Sequence, residues 1–354
     1  MFSISKLFKR KPKPPKAKIL SFDGQSIPLE ENQLVLDALL DAGHSVRHGC
    51  RAGACQSCLM TCSEGSIPSA AQVGLNAAQK ELNQFLSCSC IPSESMTIES
   101  AAQALPQTVA EVVEISKMNE QVVRVRLNAQ LPYKSGQFVN VFKNGAVSRS
   151  YSLASTPQID DFIELHIKRI EGGKFSQWAY DEMQIGVPLS VEGPIGACFY
   201  TADSPEQPLL LAGMGTGLAP LYGIVRDALM NHEHLAPIHL FVGAKDAKQL
   251  YLMDELKALV TQYPQLHVHY VVQQGAYEWL NTTHADSAFS EIDRYQLNEG
   301  DIYQYSKNLL PDCKGYRVFL CGADSFVRKM KKQCFLAGAA MSEISADTFL
   351  PSGH

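Results

Sequence analysis

Apolar and polar positions change rhythm three times along this 354-residue chain. From Lys18, the runs AKILSF and SIPLE, split at Asp23-Gly24, predict a strand hairpin. Leu34–Ala42 reads as a helix stopped by Gly43. Leu75–Phe85 reads as a second helix, and MTIES as a closing strand. These elements define an α+β unit over 18–103. Over 104–204, TVAEVVEIS, VVRVRLNA, FVNVFK, RSYSLAS, FIELHIKRI and PLSVEGPIG alternate at strand period between Gly, Pro and Asn, with GGKFSQWAYDEM the one helical stretch. That spacing predicts an antiparallel β-barrel. Over 205–354, the strands PLLLAG, IHLFVGA, HVHYVVQ and YRVFLCG alternate with helices at LAPLYGIVRDALM, KQLYLMDELKALVTQY and SFVRKMKKQCFLAG. Strand–helix alternation predicts an α/β unit with a parallel sheet. Residues 275–312 interrupt it as a polar insert carrying Tyr277, Trp279, Tyr295, Tyr303 and Tyr305. The insert reads as a partner surface, a lid or an elaborated loop.

Composition narrows the class. At 45% apolar and 19% charged, each unit can bury a core, which excludes a disordered chain. No apolar run approaches the ~18–20 residues that span a bilayer. The start lacks the apolar stretch of a secretory signal, so a cytoplasmic location is expected. The net charge of −5 conceals a tail over 1–18 with seven Lys/Arg and no acid. Residues 19–103, by contrast, hold three basic and nine acidic residues. Residues 1–17 are a basic tail and linker, with KPKPPKAK as an extended charged segment. Phe2, Ile4, Leu7 and Phe8 among its lysines read either as a weak membrane-surface contact or as a solvated tail. No nucleic-acid fold stands behind this charge, so nucleic acid is excluded as a partner.

Six of ten cysteines fall between positions 50 and 90. In a reducing compartment, such clustering reads as metal binding. Cys50, Cys55, Cys58 and Cys88 have the C-x4-C-x2-C…C spacing of plant-type [2Fe–2S] ligation. Three thiolates must converge from one tight loop, and Ala52, Gly53 and Ala54 keep that loop small. Ser57 can add a hydrogen bond to sulfur. A zinc site on Cys55, Cys58, Cys88 and Cys90 is the competing reading, but it leaves Cys50 unexplained. Residues 18–100 resemble a plant-type, β-grasp-like ferredoxin domain, with Gln56 departing from the Gly common there.

Arg149-Ser150-Tyr151-Ser152 resembles the R-x-Y-[ST] motif of the ferredoxin–NADP reductase superfamily. Arg149 has a planar fork suited to the FAD pyrophosphate. Tyr151 can lie on the flavin, and Ser152 can bond near N5. His166 and Lys168 follow at family-like distance. Gly173, Lys174 and Ser176 then open a helix whose N-terminus suits a phosphate. Gly193-Pro194-Ile195-Gly196 matches the family's GPxG turn. Cys198 reads as packing.

Gly213, Gly215, Thr216 and Gly217 join a buried strand to a helix and resemble the GxGxxP segment of the same superfamily. The glycines let a pyrophosphate approach the backbone. Cys321-Gly322 resembles the CGPxxM-type motif, with Ala323 in place of Pro; there the cysteine faces the nicotinamide. Asp347-Thr348-Phe349 resembles a C-terminal D-x-F segment, which makes Phe349 a candidate gate. Ser152 and Cys321 are the expected catalytic pair. Lys245 and Lys248 stand where a 2′-phosphate would call for an Arg, so NADH is favoured and NADPH left open.

The order of units resembles reductase components of bacterial multicomponent oxygenases. That resemblance implies an electron converter, with hydride passing from NADH to FAD. Single electrons then leave through a [2Fe–2S] cluster to an electron-accepting metalloprotein, an oxygenase or hydroxylase component. A reductase of sugar-nucleotide deoxygenation shares the order and remains an alternative. So does a flavin reductase with a zinc-stabilised cysteine module.

Overall fold

The computed structural model describes residues 18–46, 51, 58–73, 75, 77–100, 107–143, 147–283, 289 and 292–349. Two compact units divide them, the first carrying one sheet and the second carrying two. In the first unit, β1 (Lys18–Phe22) and β2 (Gln25–Leu29) form the expected hairpin, turning at Asp23 and Gly24, both at positive φ. Helix α1 (Val35–Asp41) buries Val35, Leu36, Ala38 and Leu39. Strands β3 (Leu59–Glu64), β4 (Gln84–Leu86) and β5 (Met96–Ser100) complete a sheet of order β2-β1-β5-β3-β4. The helix expected over 75–85 is shorter, α2 (Ala77–Glu81), and groups with the second unit. Asn83 takes a left-handed φ of 52°, which ends helical geometry and turns the chain into β4.

The second unit begins with β6 (Gln107–Lys117), β7 (Val122–Asn128), β8 (Phe138–Lys143), β9 (Val147–Ser152), β10 (Ile163–Lys168) and β11 (Pro188–Ile195). Their order is β10-β7-β6-β11-β8-β9, every pairing antiparallel, and a bridge from Leu153 to Leu165 brings the two ends of the sheet together as a barrel. Alternate residues such as Val123, Val125, Leu127, Ile163, Leu165 and Ile167 fill its interior, which is the period-2 pattern made physical. Helix α3 (Lys174–Asp181) adds Phe175, Trp178 and Ala179 to that core.

The parallel sheet contains β12 (Leu209–Met214), β13 (Ile238–Asp246), β14 (Leu266–Gln274), β15 (Tyr295–Glu299), β16 (Arg317–Ala323) and β17 (Ile344–Phe349). Between them run α4 (Leu218–Arg226), α5 (Met253–Gln262), α6 (Ala276–Thr283), α7 (Ile302–Leu309) and α8 (Asp324–Leu336). The order β15-β14-β13-β12-β16-β17 starts at a central strand, steps outward on one side, then returns to fill the other. The order therefore reverses between β12 and β16, and a crevice opens at the carboxyl ends of strands at such a point.

Residues 275–312 continue the alternation rather than interrupt it, supplying α6, β15 and α7. Among their described aromatics, Trp279, Tyr303 and Tyr305 are partly buried against the cores of the parallel sheet. Tyr295 is buried, packs edge-on to Tyr270, and donates its hydroxyl to the Met253 carbonyl at 2.7 Å. The polar residues that masked the strand are the less buried positions of a sheet edge.

Barrel and parallel sheet meet along a polar seam. Gly223 of α4 lies against the Leu153 and Ala154 carbonyls, and a Cβ there would stand 3.2 Å from each. Arg226 grips Asp160 with two bonds of 2.6 and 2.7 Å. Arg124 reaches Glu255 at 3.2 Å. Among the described residues, no helix is long and apolar enough to cross a membrane.

Candidate functional site

Cys58 and Cys88 are thirty residues apart in sequence, yet β3 and β4 bring them to one end of the sheet. Leu59, just after Cys58, pairs with Leu86 of the antiparallel neighbour, two residues before Cys88. Ser87 staples this end, donating its N–H and hydroxyl to the Cys58 carbonyl at 3.1 and 3.0 Å. Both thiols are buried beside Leu36, Leu75 and Leu86. Burial raises the Cys58 thiol; a hydrogen bond from the Cys88 backbone opposes the rise, and the Cys88 thiol adds to it. A cation that takes these sulfurs as thiolates must displace their protons. Cys62 and Cys90 belong to a different cluster with Leu20, Val35 and Ile98. Burial pushes the Cys90 thiol to about 12. The zinc reading needs Cys90 beside Cys88, and the packing separates the two. Cys50 and Cys55, with the small-residue loop, lie outside the described residues.

On the barrel, β9 pairs with β8 so that Arg149 faces Val141, Tyr151 faces Val139 and Ser152 faces Phe138. Tyr151 packs its ring 5.5 Å from Phe175, in the first turn of α3. Ser176 folds the turn before that helix: its hydroxyl accepts from Ile170 N at 3.1 Å. A Cβ on Gly173 would stand 2.5 Å from that oxygen. Lys174 is exposed and Lys168 half-buried. The strand and the α3 N-terminus thus present Arg149, Tyr151, Gly173 and Lys174 from neighbouring elements, a donor-rich cradle that fits a dinucleotide.

His166 is placed differently. Its ring is buried, with Nε2 at 3.0 Å from Glu164 and Nδ1 at 3.3 Å from the Tyr251 hydroxyl. Arg126 also donates to Glu164 at 2.7 Å. Burial alone would raise the Glu164 carboxyl, but His166 and Arg126 overcome it and hold it at about 2. Both His166 nitrogens are engaged in this network, which bridges barrel and parallel sheet.

The crevice at β12 and β16 is glycine-lined. Gly213 pairs with Cys321 in register. A Cβ on Gly217 would run into the Cys321 backbone, 2.7 Å from its carbonyl carbon. One on Gly213 would stand 2.9 Å from the Gly217 carbonyl. Gly215 sits at φ 56° with nothing within 4 Å of its Cβ position, and Thr216 follows in the same turn. Gly322 takes φ 137° just past Cys321. The turn is therefore bare backbone at the head of α4, which fits a pyrophosphate.

One contact joins this crevice to the barrel. Ser152 donates its hydroxyl to Asp347 Oδ2 at 2.7 Å, across 195 residues of sequence. Asp347 in turn pairs in register with Cys321. Burial raises the Asp347 carboxyl, partly offset by the Ser152 bond. Burial also lifts the Cys321 thiol well above its usual value, with Cys198 and Asp347 adding to it. Phe349 closes β17 opposite Ala323 and is half-buried. The structure thus joins Ser152 and Cys321 through Asp347, a residue to which the D-x-F resemblance gives no role. Only the β16–β17 register reveals it.

Three family models match the chain in order: a 2Fe-2S iron-sulfur cluster binding domain at 21–93, an oxidoreductase FAD-binding domain at 106–200, and an oxidoreductase NAD-binding domain at 210–332. The reductase component of a Xanthobacter autotrophicus alkene monooxygenase system is 34% identical over 72% of this chain and 80% of its own length. The chain belongs to the iron–sulfur flavoprotein reductases.

A Yersinia pestis CDP-6-deoxy-L-threo-D-glycero-4-hexulose-3-dehydrase reductase is 25% identical over 96% of this chain and 97% of its own. An Amycolatopsis cytochrome P450 reductase shares the fold at a TM-score of 0.63 and 25% identity, covering 94% of this chain and 99% of its own. The reductase is an NAD(P)H-dependent oxidoreductase with a [2Fe–2S] domain, an FAD domain and an NAD domain. It works as an electron-transfer reductase, and the flavin module with a zinc appendage is set aside by the iron–sulfur match.

Proposed function

We propose that this reductase draws electrons from NADH at the crevice between β12 and β16 and hands them singly to an oxygenase- or hydroxylase-type metalloprotein. The observation that carries the reading is the Ser152–Asp347 bond of 2.7 Å beside Cys321, which ties the barrel surface to the nucleotide crevice. The chemistry supplied when FAD and a [2Fe–2S] cluster are bound would be two-electron acceptance at the flavin and one-electron relay at the cluster. Arg149 and the α3 N-terminus at Gly173, Lys174 and Ser176 hold the flavin pyrophosphate, with Lys168 nearby, and Tyr151 packs on the ring. Gly213, Gly215, Thr216, Gly217 and Gly322 receive the nicotinamide dinucleotide, and Phe349 borders its entry. Ser152 and Cys321 orient the reacting faces, while Asp347 holds a proton at the Ser152 hydroxyl. His166 acts as a strut between barrel and sheet. Cys50, Cys55, Cys58 and Cys88 are the cluster ligands.

NADH is preferred because Asp246 closes β13, next to β12. A carboxylate there accepts a bond from the ribose 2′-hydroxyl and repels a 2′-phosphate. An oxygenase-type acceptor is preferred to sugar-nucleotide deoxygenation because the alkene monooxygenase relative has the higher identity, 34% against 25%, though over a shorter aligned stretch. The acidic first unit supports docking on a basic partner face, so electron delivery slows as salt rises. A cytoplasmic site is supported by the absence of disulfides among the described cysteines. A weak membrane contact of the tail over 1–17 rests on its sequence alone, and vesicle co-sedimentation with and without that tail tests it.

The deciding experiment is an anaerobic NADH titration of the purified protein followed by visible absorption. Flavin and iron–sulfur bands bleaching together at about one and a half equivalents support the reading, since two flavin electrons and one cluster electron are filled. Bleaching of flavin alone, with no iron present, overturns it.

A further inference from the structure

Cys321 has a second thiol beside it. Cys198 Sγ lies 3.8 Å from Cys321 Sγ. The two are 3% and 0% exposed. They come from different halves of the second unit, Cys198 from the stretch that follows β11 and Cys321 from the end of β16. Cys198 packs into the core of the parallel sheet with Leu218, Phe319 and Cys321. Its backbone is held as well, since a Cβ on Gly136 would stand 2.5 Å from the Cys198 carbonyl. A disulfide has its sulfurs about 2.05 Å apart, so closure asks for side-chain movement of under about 2 Å.

We propose that Cys198 and Cys321 are a redox-closable thiol pair whose disulfide locks the barrel to the parallel sheet and stops NADH oxidation. The consequence for activity rests on the reading of Cys321 as the thiol beside the nicotinamide. The oxidant is a peroxide, because thiols buried to 3% and 0% exposure are more accessible to hydrogen peroxide than to a bulky disulfide. One thiol is oxidised by hydrogen peroxide to a sulfenic acid, and the first water leaves. The second thiol attacks that sulfur, the S–S bond forms, and the second water leaves. Two sulfurs lose one electron each, and the O–O bond takes both. The protonated, buried state of Cys321 keeps the pair reduced in a thiol-rich cytoplasm and makes closure a response to sustained peroxide. Once one sulfur is oxidised, the other is already in place, so condensation outruns further oxidation.

The test treats the holoprotein with hydrogen peroxide and removes the excess with catalase. It then reads NADH–ferricyanide activity and maps disulfide-linked peptides by mass spectrometry, with Cys198→Ala alongside. The expected result is a linked peptide joining 198 to 321 and a matching loss of activity in the native chain. Dithiothreitol reverses both, and Cys198→Ala keeps its activity under the same exposure. A native chain that loses activity with no 198–321 link overturns the proposal, as does equal loss in Cys198→Ala. A link that forms while activity persists also overturns the switch, and it locates the failure in the placement of Cys321 at the nicotinamide rather than in the thiol chemistry. Mapping separates this link from one between Cys313 and Cys334, which share a core cluster elsewhere.

Discussion

Replacing Gly217 by Ala isolates one steric requirement of the nucleotide crevice. The new methyl would sit 2.7 Å from the Cys321 carbonyl carbon and 3.2 Å from Gly322 Cα. Ordinary carbon contacts begin near 3.5 Å, so the turn and the end of β16 must separate by about 1 Å. Both obstacles are backbone, so no side chain can swing aside. Overpacking of this kind costs about 1–3 kcal/mol. If about 2 kcal/mol of that strain is relieved by opening the crevice, NADH binding weakens by more than tenfold, at 1.4 kcal/mol per decade. At about 2–4 °C per kcal/mol, the unfolding midpoint of this unit falls by about 4–8 °C. Gly215→Ala is the internal control. It has open space around its Cβ position but a φ of 56°. It therefore carries only the left-handed backbone cost of about 1–2 kcal/mol. The assay is steady-state NADH–ferricyanide kinetics with flavin content fixed by absorption, together with thermal unfolding. A Gly217→Ala protein with the native KM for NADH and an unshifted midpoint refutes the argument that Gly217 is set by contact with Cys321.

Other consequences follow from single contacts. Asp246→Ser lowers the KM for NADPH relative to NADH; an unchanged ratio in paired kinetics removes Asp246 as the discriminator. Cys88→Ser abolishes the iron–sulfur absorption while leaving the flavin bands, and a native iron content in that variant rejects Cys88 as a ligand. The stacked rings of His239, His267 and His269 are held neutral chiefly by burial, with His239 at about 4 and His269 at about 3, both below an unfolded value of 6.5. The unfolded chain therefore binds the extra protons, so stability is full above pH 6.5 and falls as pH drops towards 4 and 3. For His269 alone, the loss between pH 6.5 and 5 is about 2 kcal/mol, and a urea midpoint that is flat across that range contradicts it. Glu164, held at about 2, adds a second loss that begins only below its unfolded value of 4.5, so Glu164→Gln flattens the acid limb of the same titration.

The cofactor classes were legible in the sequence where they rest on short spacing. The cysteine loop, Arg149 to Ser152 and Gly213 to Gly217 are local patterns whose residue types follow from ligation, charge or backbone approach. Strand alternation exposed the barrel because one face is core and the other is not. It failed at 275–312, where Tyr295 buries an aromatic ring in an edge strand whose other positions are polar. The helix expected over 75–85 ends early for a similar reason: Ala, Lys, Glu and Leu favour helix, and one left-handed Asn83 decides the turn.

What the chain order hides is the seam. Ser152 and Asp347, His166 and Tyr251, and Arg226 and Asp160 each join the barrel to the parallel sheet over 66 to 195 residues. No periodicity marks such pairs, because each partner satisfies its own strand or helix pattern and finds the other only after both sheets have formed. The motifs supply groups able to bind a flavin and a nicotinamide, but two separate binding surfaces do not make a hydride path. The distance between them is fixed by the seam, and proximity governs the rate of a transfer between bound partners. Removing the Arg226–Asp160 grip by Arg226→Ala would leave every motif intact and the Asp160 carboxylate without its cation, still accepting from the Thr156 N–H at 2.7 Å. It should lower kcat for NADH oxidation while both dinucleotides still bind. A native kcat in that variant would remove the Arg226–Asp160 grip from the positioning and leave it to the other seam contacts, Ser152–Asp347, His166–Tyr251 and Arg124–Glu255.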